Sequence, residues 1–205
     1  RWYRPRTLGD PEAARIVIEA SAGTGKTWFV TRRVVDLLLA TDATIDVPAP
    51  EGLEYLPFQR AGIAFASARS NTLIADEMGL GKTIEAIGVI NADETLRRVL
   101  VICPASLRLN WQRELQRWLT RPLTIGIATS KALPGTDITV INFDILHNHT
   151  ESLRAEPYDL LVVDECHLAK NPTARRTVQI LGTDPYKAKK AKVVVAPIAA
   201  RRKLF

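Results

Sequence analysis

The residues of this chain best suited to chemistry are a lysine and a threonine after a glycine turn, and two consecutive carboxylates after an apolar run. Gly79, Gly81, Lys82 and Thr83 fall in residues 71–90, NTLIADEMGLGKTIEAIGVI. Such glycines let backbone N–H groups close on phosphate oxygens, and the N-terminus of a following helix adds partial positive charge. In that arrangement Lys82 reaches the β- and γ-phosphates of a nucleotide, and the Thr83 hydroxyl holds Mg²⁺. Asp76 stands where the strict pattern has its first glycine. The expectation therefore rests on context. Residues 72–75 read as a buried strand before the turn, and Ile84, Ala86, Ile87 and Ile90 recur at helical spacing after it.

The second stretch is residues 158–167, YDLLVVDECH. Its apolar residues 160–163 read as a buried strand that delivers Asp164 and Glu165 at its end. Adjacent carboxylates behind a buried strand are costly unless a cation or a reaction uses them. Asp164 is expected to hold Mg²⁺ through water, Glu165 to polarise the attacking water, and His167 to sense the γ-phosphate. Upstream, Gln59 lies on a helix that begins near Pro57, with Phe58, Ala61, Ile63, Ala64 and Phe65 expected on its packed face. A carboxamide there can donate to and accept from an adenine edge.

These residues need a sheet to carry them. Residues 98–103 (RVLVIC) form a buried-type strand closed by Pro104, and residues 105–119 form a helix with Leu107, Trp111, Leu115, Trp118 and Leu119 inward. Residues 123–128 and 137–143 read as further strands, and 171–182 as a helix. Strands alternating with helices predict an α/β fold with a mostly parallel sheet, whose ligands bind at the carboxyl ends of the strands.

The remaining chain is less regular. Residues 16–19 read as a strand, followed by a second glycine loop, ASAGTGKT, with Gly23, Gly25, Lys26 and Thr27. The helix after it places Phe29, Val30, Val34, Leu37 and Leu38 on one face. Lys26 and Lys82 are too close in sequence for each loop to have its own sheet and carboxylate, so the first loop is the weaker candidate. Residues 41–52 contain prolines without a period and read as a linker.

Composition sets the outer bounds. The 205 residues are 46% hydrophobic and 24% charged, with a net charge of +6, which leans toward an anionic partner. No apolar run approaches the ~20 residues of a membrane span, and no signal peptide is visible, so no membrane is expected. Cys103 and Cys166 do not have metal-ligand spacing, and a reducing compartment is the simplest account. The location expected is cytoplasmic, or nucleoid or nuclear. The basic cluster at residues 187–192 reads as a solvated loop or a phosphate-backbone contact.

Five ordered motifs, LPFQRAG, ADEMGLGKTIEAIG, VICPASLRLNWQREL, ITVINFDIL and LLVVDECHLAKNP, resemble the Swi/Snf family of helicase-like ATPases in superfamily two, closest to the annealing-helicase branch. Cys166 departs from the alanine of many relatives. The resemblance implies a RecA-like P-loop NTPase lobe over residues 53–205 that uses ATP and Mg²⁺. It implies that Gln59 recognises adenine and that Gly79, Gly81, Lys82 and Thr83 bind the nucleotide, with Thr83 and Asp164 as metal ligands. Asp164, Glu165 and His167 would be catalytic. Pro104, Ser106, Leu107, Asn142 and Asp144 would touch double-stranded or branched DNA. The last residues, 202–205, resemble the strand leading to a Thr-Gly-Thr motif, so the second RecA-like lobe with its arginine finger is expected to be missing. Residues 1–40 instead resemble the first motif of RecB/UvrD-type helicases. The function expected is the ATP-binding lobe of a duplex-DNA translocase. A single-strand helicase fragment and an inactive ATP-binding scaffold are the alternatives.

Overall fold

The continuous apolar runs become the centre of a six-stranded sheet with strand order β1-β6-β5-β2-β4-β3. The computed structural model describes residues 45–74, 79–169, 171, 173–183 and 194–205. The first glycine loop, with Gly23, Gly25, Lys26 and Thr27, and the basic cluster at 187–192 lie outside the described residues, as do residues 75–78.

The elements in chain order are α1 (Pro57–Ser67), β1 (Asn71–Thr72), α2 (Lys82–Ala92), β2 (Val99–Cys103) and a 3₁₀ turn (Ala105–Leu107) that runs into α3 (Arg108–Trp118). β3 (Ile125–Ile127), β4 (Ile138–Asn142), a 3₁₀ segment (Phe143–His149), β5 (Tyr158–Val163), a 3₁₀ turn (Cys166–Ala169), α4 (Arg175–Leu181) and β6 (Ala200–Leu204) follow. Every strand pairing is parallel, with Val101 opposite both Val140 and Val162. This is the α/β sheet that the alternating pattern predicts.

β2 and β4 are buried at every position, as expected of parallel strands covered on both faces. Alternate residues divide between the two faces. Val99, Val101, Cys103, Val140 and Val162 pack with Ile63 of α1, Ile87 and Ile90 of α2, and Trp111 and Leu115 of α3. Leu100, Ile102, Ile141, Leu161 and Val163 pack with Phe143, Leu146, Leu153, Ile180 and Ile198.

α1 and α2 approach closely because two glycines face the contact. A Cβ on Gly88 would meet Ile63 Cδ1 at 2.2 Å, and one on Gly62 would meet Glu85 Oε2 at 2.3 Å. In α1 the buried residues are Gln59, Ile63 and Ala66. Phe58, Ala61, Ala64 and Phe65 of the expected face are only half-buried, because the helix is turned to bring Gln59 inward. Residues 45–52 carry no helix or strand, yet Val47 is buried. The Tyr55 hydroxyl donates to Pro48 O at 3.3 Å, which holds this stretch against the lobe.

Several elements are shorter than their apolar runs. The backbone of β1 pairs beyond the strand proper, with Ile74 N donating to Phe205 O at 2.7 Å. β3 and β4 start late because Thr124 N donates to the Asp137 carboxylate at 2.7 Å and Asp137 N to the Thr124 hydroxyl at 2.9 Å. α4 starts at Arg175, since the Asn171 side chain accepts the Thr173 N–H and hydroxyl and closes a turn instead.

Candidate functional site: the carboxyl edge of the sheet

Because all strands run the same way, the segments leaving β1, β5, β2 and β4 emerge along one edge. They carry the glycine turn, Asp164–Glu165, Pro104–Leu107 and Asn142–Asp144, in that lateral order, with the end of β6 between the first two. The separation from β1 to β5 is two strand spacings, roughly 10 Å. A phosphate chain with its metal can span that distance.

The glycine turn has the backbone the phosphate cradle needs. Gly79 and Gly81 have φ of +89° and +86°, values that residues bearing a Cβ adopt only at a cost. Gly81 is the residue from which α2 begins, so Lys82 and Thr83 occupy its first turn, where unpaired N–H groups and the helix dipole favour an anion.

Gln59 braces this turn. Its Nε2 donates to Leu80 O at 3.1 Å, and its Oε1 accepts the Leu56 N–H at 3.0 Å, closing the start of α1. The carboxamide is 4% exposed and packs so near Gly81 that a Cβ there would lie 2.6 Å from Nε2. Sequence reasoning assigned this group to an adenine edge. In the structure it is occupied with the start of α1 and the glycine turn, with one N–H and one lone pair left over.

At the end of β5, Asp164 is held from both sides. Oδ1 accepts the Glu165 N–H at 2.9 Å, and Oδ2 accepts the Trp111 indole N–H at 2.8 Å. Glu165 has φ of +51°, the one non-glycine residue with positive φ among those described. Such a backbone costs on the order of 1–3 kcal/mol and is concentrated at functional sites. His167 Nδ1 lies 3.0 Å from Glu165 Oε2, with the histidine side chain 64% exposed. His167 therefore meets Glu165.

Two thiols register the charge of these carboxylates. Burial, then the Asp164 charge, pushes Cys103 up to about 12, with Arg108 opposing. Cys166 is also raised, by burial and then by Glu165. Both thiols stay protonated at neutral pH, beside a carboxylate pair whose field favours a cation.

Asp164 and the Thr83 hydroxyl are hard oxygen donors, and each Asp164 oxygen has used one acceptor site. One carboxylate plus phosphate oxygens is the usual protein share of a Mg²⁺ site. The residues present fit that ion.

The expected DNA contacts fall into two groups. Ser106 is exposed, and Pro104 and Leu107 are half-exposed, on the 3₁₀ turn after β2. Asp144 is exposed, but Asn142 is 4% exposed and donates to Asp144 Oδ2 at 3.2 Å. Asn142 shapes that turn from beneath.

Residues 27–184 match the family model described as SNF2-related domain. The chain belongs to this family. The DNA annealing helicase and endonuclease ZRANB3 of Mus musculus is 36% identical over 137 residues, which cover 62% of this chain and 13% of that protein. The SWI/SNF-related matrix-associated actin-dependent regulator of chromatin subfamily A-like protein 1 of Bos taurus is 33% identical over 168 residues, 73% of this chain and 18% of that protein. The SNF2-related chain thus spans less than a fifth of the length of either relative. Among solved structures, the Sulfolobus solfataricus SWI2/SNF2 ATPase core in complex with dsDNA matches with a TM-score of 0.63 at 22% identity, over 78% of this chain and 33% of that one. That likeness establishes the fold, a RecA-like α/β lobe.

Sequence reasoning missed three residues of this SNF2-related lobe. Glu85 is fully buried in α2 against Gly62, and its helical position gave no sign of that. Asn91 Nδ2 donates to Trp118 O at 2.7 Å and to the Tyr55 hydroxyl at 3.0 Å, while Asn91 Oδ1 accepts the Thr120 N–H at 3.2 Å. Arg121 Nη1 donates to Ile90 O, Asp93 O and Leu96 O at 2.9–3.1 Å, closing the carboxyl end of α2. A helix end followed by a lone arginine was the only available signal.

Proposed function

We propose that this chain is the ATP-binding lobe of an ATP-dependent double-stranded-DNA translocase. The observation that carries this reading is the pairing, on one sheet edge, of a left-handed glycine turn opening α2 with an Asp164–Glu165 pair whose second member is itself left-handed.

In this reading the backbone N–H groups at the start of α2 and the Lys82 ammonium bind the β- and γ-phosphates. Gln59 fixes the glycine turn through Leu80 O and offers its remaining N–H and lone pair toward the base. Mg²⁺, held by Thr83 and Asp164, would neutralise charge on the phosphate oxygens. Glu165 orients the attacking water and accepts its proton at a carboxylate oxygen, while His167 holds the other side of that carboxyl group. Ser106 and Asp144, with Pro104 and Leu107 beside them, face the tracked strand, and Asn142 supports them from below. This reading assigns nucleotide binding to the turn at Gly79–Thr83 rather than to the first loop with Gly23, Gly25, Lys26 and Thr27.

Positioning and charge stabilisation supply most of the rate in phosphoryl transfer, and an arginine finger alone contributes ~10³–10⁵. In the proposed scheme that arginine comes from a second RecA-like lobe. The test is steady-state phosphate release, measured on this chain alone and joined to such a lobe. Duplex DNA should stimulate the joined protein, while this chain alone turns over barely detectably. Stimulation by single-stranded DNA alone would favour a RecB/UvrD-type helicase. ATP binding without turnover in either form would favour a scaffold.

A further inference from the structure

We infer that Trp111 is a positioning residue for Asp164, fixing the carboxylate that holds the metal and tying it to the exposed turn after β2. This rests on the proposed reading of Asp164 as the metal-holding carboxylate. Trp111 is 2% exposed, which shields its indole N–H from water, and buried indoles usually hydrogen-bond within the protein. The partner is Asp164 Oδ2 at 2.8 Å, 53 residues away in sequence.

Burial alone does not explain this hydrogen bond. Trp118 lies on the same helix and is 6% exposed, and its indole nitrogen has no hydrogen-bond partner among the described residues. Of these two buried indoles on α3, only that of Trp111 meets the carboxylate edge, while Trp118 lies against the Tyr55 ring. With Glu165 N on Oδ1 and Trp111 Nε1 on Oδ2, the plane of the Asp164 carboxylate is fixed and one acceptor site on each oxygen remains. Partners of this kind orient a metal ligand, and losing one typically costs 10–100-fold in metal affinity or activity.

Trp111 also has a defined place along the chain. It sits in the first turn of α3, one helical turn after Leu107, and Arg108 joins the exposed 3₁₀ turn (Ala105–Leu107) to the helix without a break in αR geometry. A shift of that exposed turn moves the indole, and the indole moves or releases Asp164. Occupancy of the turn by a nucleic-acid strand would in this way reach the metal site through one hydrogen bond.

The test compares Trp111→Phe with Trp118→Phe, both of which keep an aromatic ring and lose the indole nitrogen. ATP affinity is measured by calorimetry with Mg²⁺ and with EDTA. Trp111→Phe should weaken the Mg²⁺-dependent part about 10-fold or more, leave affinity in EDTA within about 2-fold, and differ in this from Trp118→Phe. Independently, the Trp111 indole N–H resonance of the ¹⁵N-labelled wild-type chain should shift when Mg²⁺ is added to the ATP complex. Asp164→Asn should abolish that shift. Equal effects of the two tryptophan substitutions would reduce Trp111 to a packing role and overturn the inference. If Trp111→Phe fails to fold, an indole resonance unmoved by Mg²⁺ would overturn it alone. Should Asp164→Asn leave the Mg²⁺ dependence intact, the reading of Asp164 fails first and takes this inference with it.

Discussion

Replacing Gly81 with alanine tests the joint geometry of the glycine turn and Gln59. Gly81 has φ of +86°, and a Cβ there would sit 2.6 Å from Gln59 Nε2. A left-handed alanine costs about 1–2 kcal/mol. The new methyl group also displaces a carboxamide that is 4% exposed and hydrogen-bonded at both ends, at about 0.5–1.5 kcal/mol for each bond lost. Restricting the unfolded chain returns about 0.4–1 kcal/mol. The net effect should be about 2–3 kcal/mol against the native turn, from the backbone and hydrogen-bond costs combined. If the turn yields locally, this appears as a roughly 30–150-fold loss of ATP affinity. If it does not, it appears as lower stability in urea unfolding. Gln59→Ala separates the two components, since it removes the collision and leaves the backbone cost. Gly81→Ala should therefore cost less in the Gln59→Ala background, by at least about 0.5 kcal/mol. Wild-type affinity and an unchanged unfolding midpoint in Gly81→Ala would refute the geometry. An identical cost in both backgrounds would refute the Gln59 brace.

Other expectations follow from buried polar groups. Asn91→Ala leaves Trp118 O and Thr120 N without their partner, and should lower stability by about 2–4 kcal/mol in urea unfolding with an unchanged m-value. Burial acts to raise the Asp93 carboxyl, but the Thr95 hydroxyl and N–H and the Arg202 and Arg201 charges outweigh it and leave it below the ordinary value. Its contribution to stability should be present above about pH 4 and disappear as pH falls through the lowered folded value. Asp93→Asn should flatten that part of a pH–stability curve. The Cys103 thiol, pushed up to about 12, should resist alkylation at pH 8 in the folded chain. It should react at the rate of a model thiol only after unfolding, as followed by mass spectrometry.

Much of the fold is legible because the sequence repeats the periods of its elements. β2, β4 and β5 are apolar runs of strand length, α3 repeats its apolar residues at helical spacing, and the Gly-Lys-Thr and Asp-Glu pairs each follow such a run. The lateral strand order is not written locally. β6 comes from the last described residues yet lies between β1 and β5, and no pattern within its basic segment points to that slot. The individual site contacts are harder still. Gln59 and Leu80 are 21 residues apart, and Trp111 and Asp164 are 53 apart. Their hydrogen bonds exist only once α1, α3 and the sheet have packed. Glu85 falls outside the apolar positions read on its helix, and the absence of a Cβ at Gly62 makes room for its carboxylate inside. Asn142 reads as a polar contact residue. It is 4% exposed and donates to Asp144 in the 3₁₀ segment that follows β4.

Every role proposed for this lobe depends on nucleotide being bound by the glycine turn that opens α2. Calorimetric titration of the 205-residue chain with ATP and Mg²⁺ tests this most directly, alongside Lys82→Ala and Lys26→Ala. A single binding event is expected, which disappears in Lys82→Ala and persists unchanged in Lys26→Ala. Binding that survives Lys82→Ala and is lost in Lys26→Ala would contradict it.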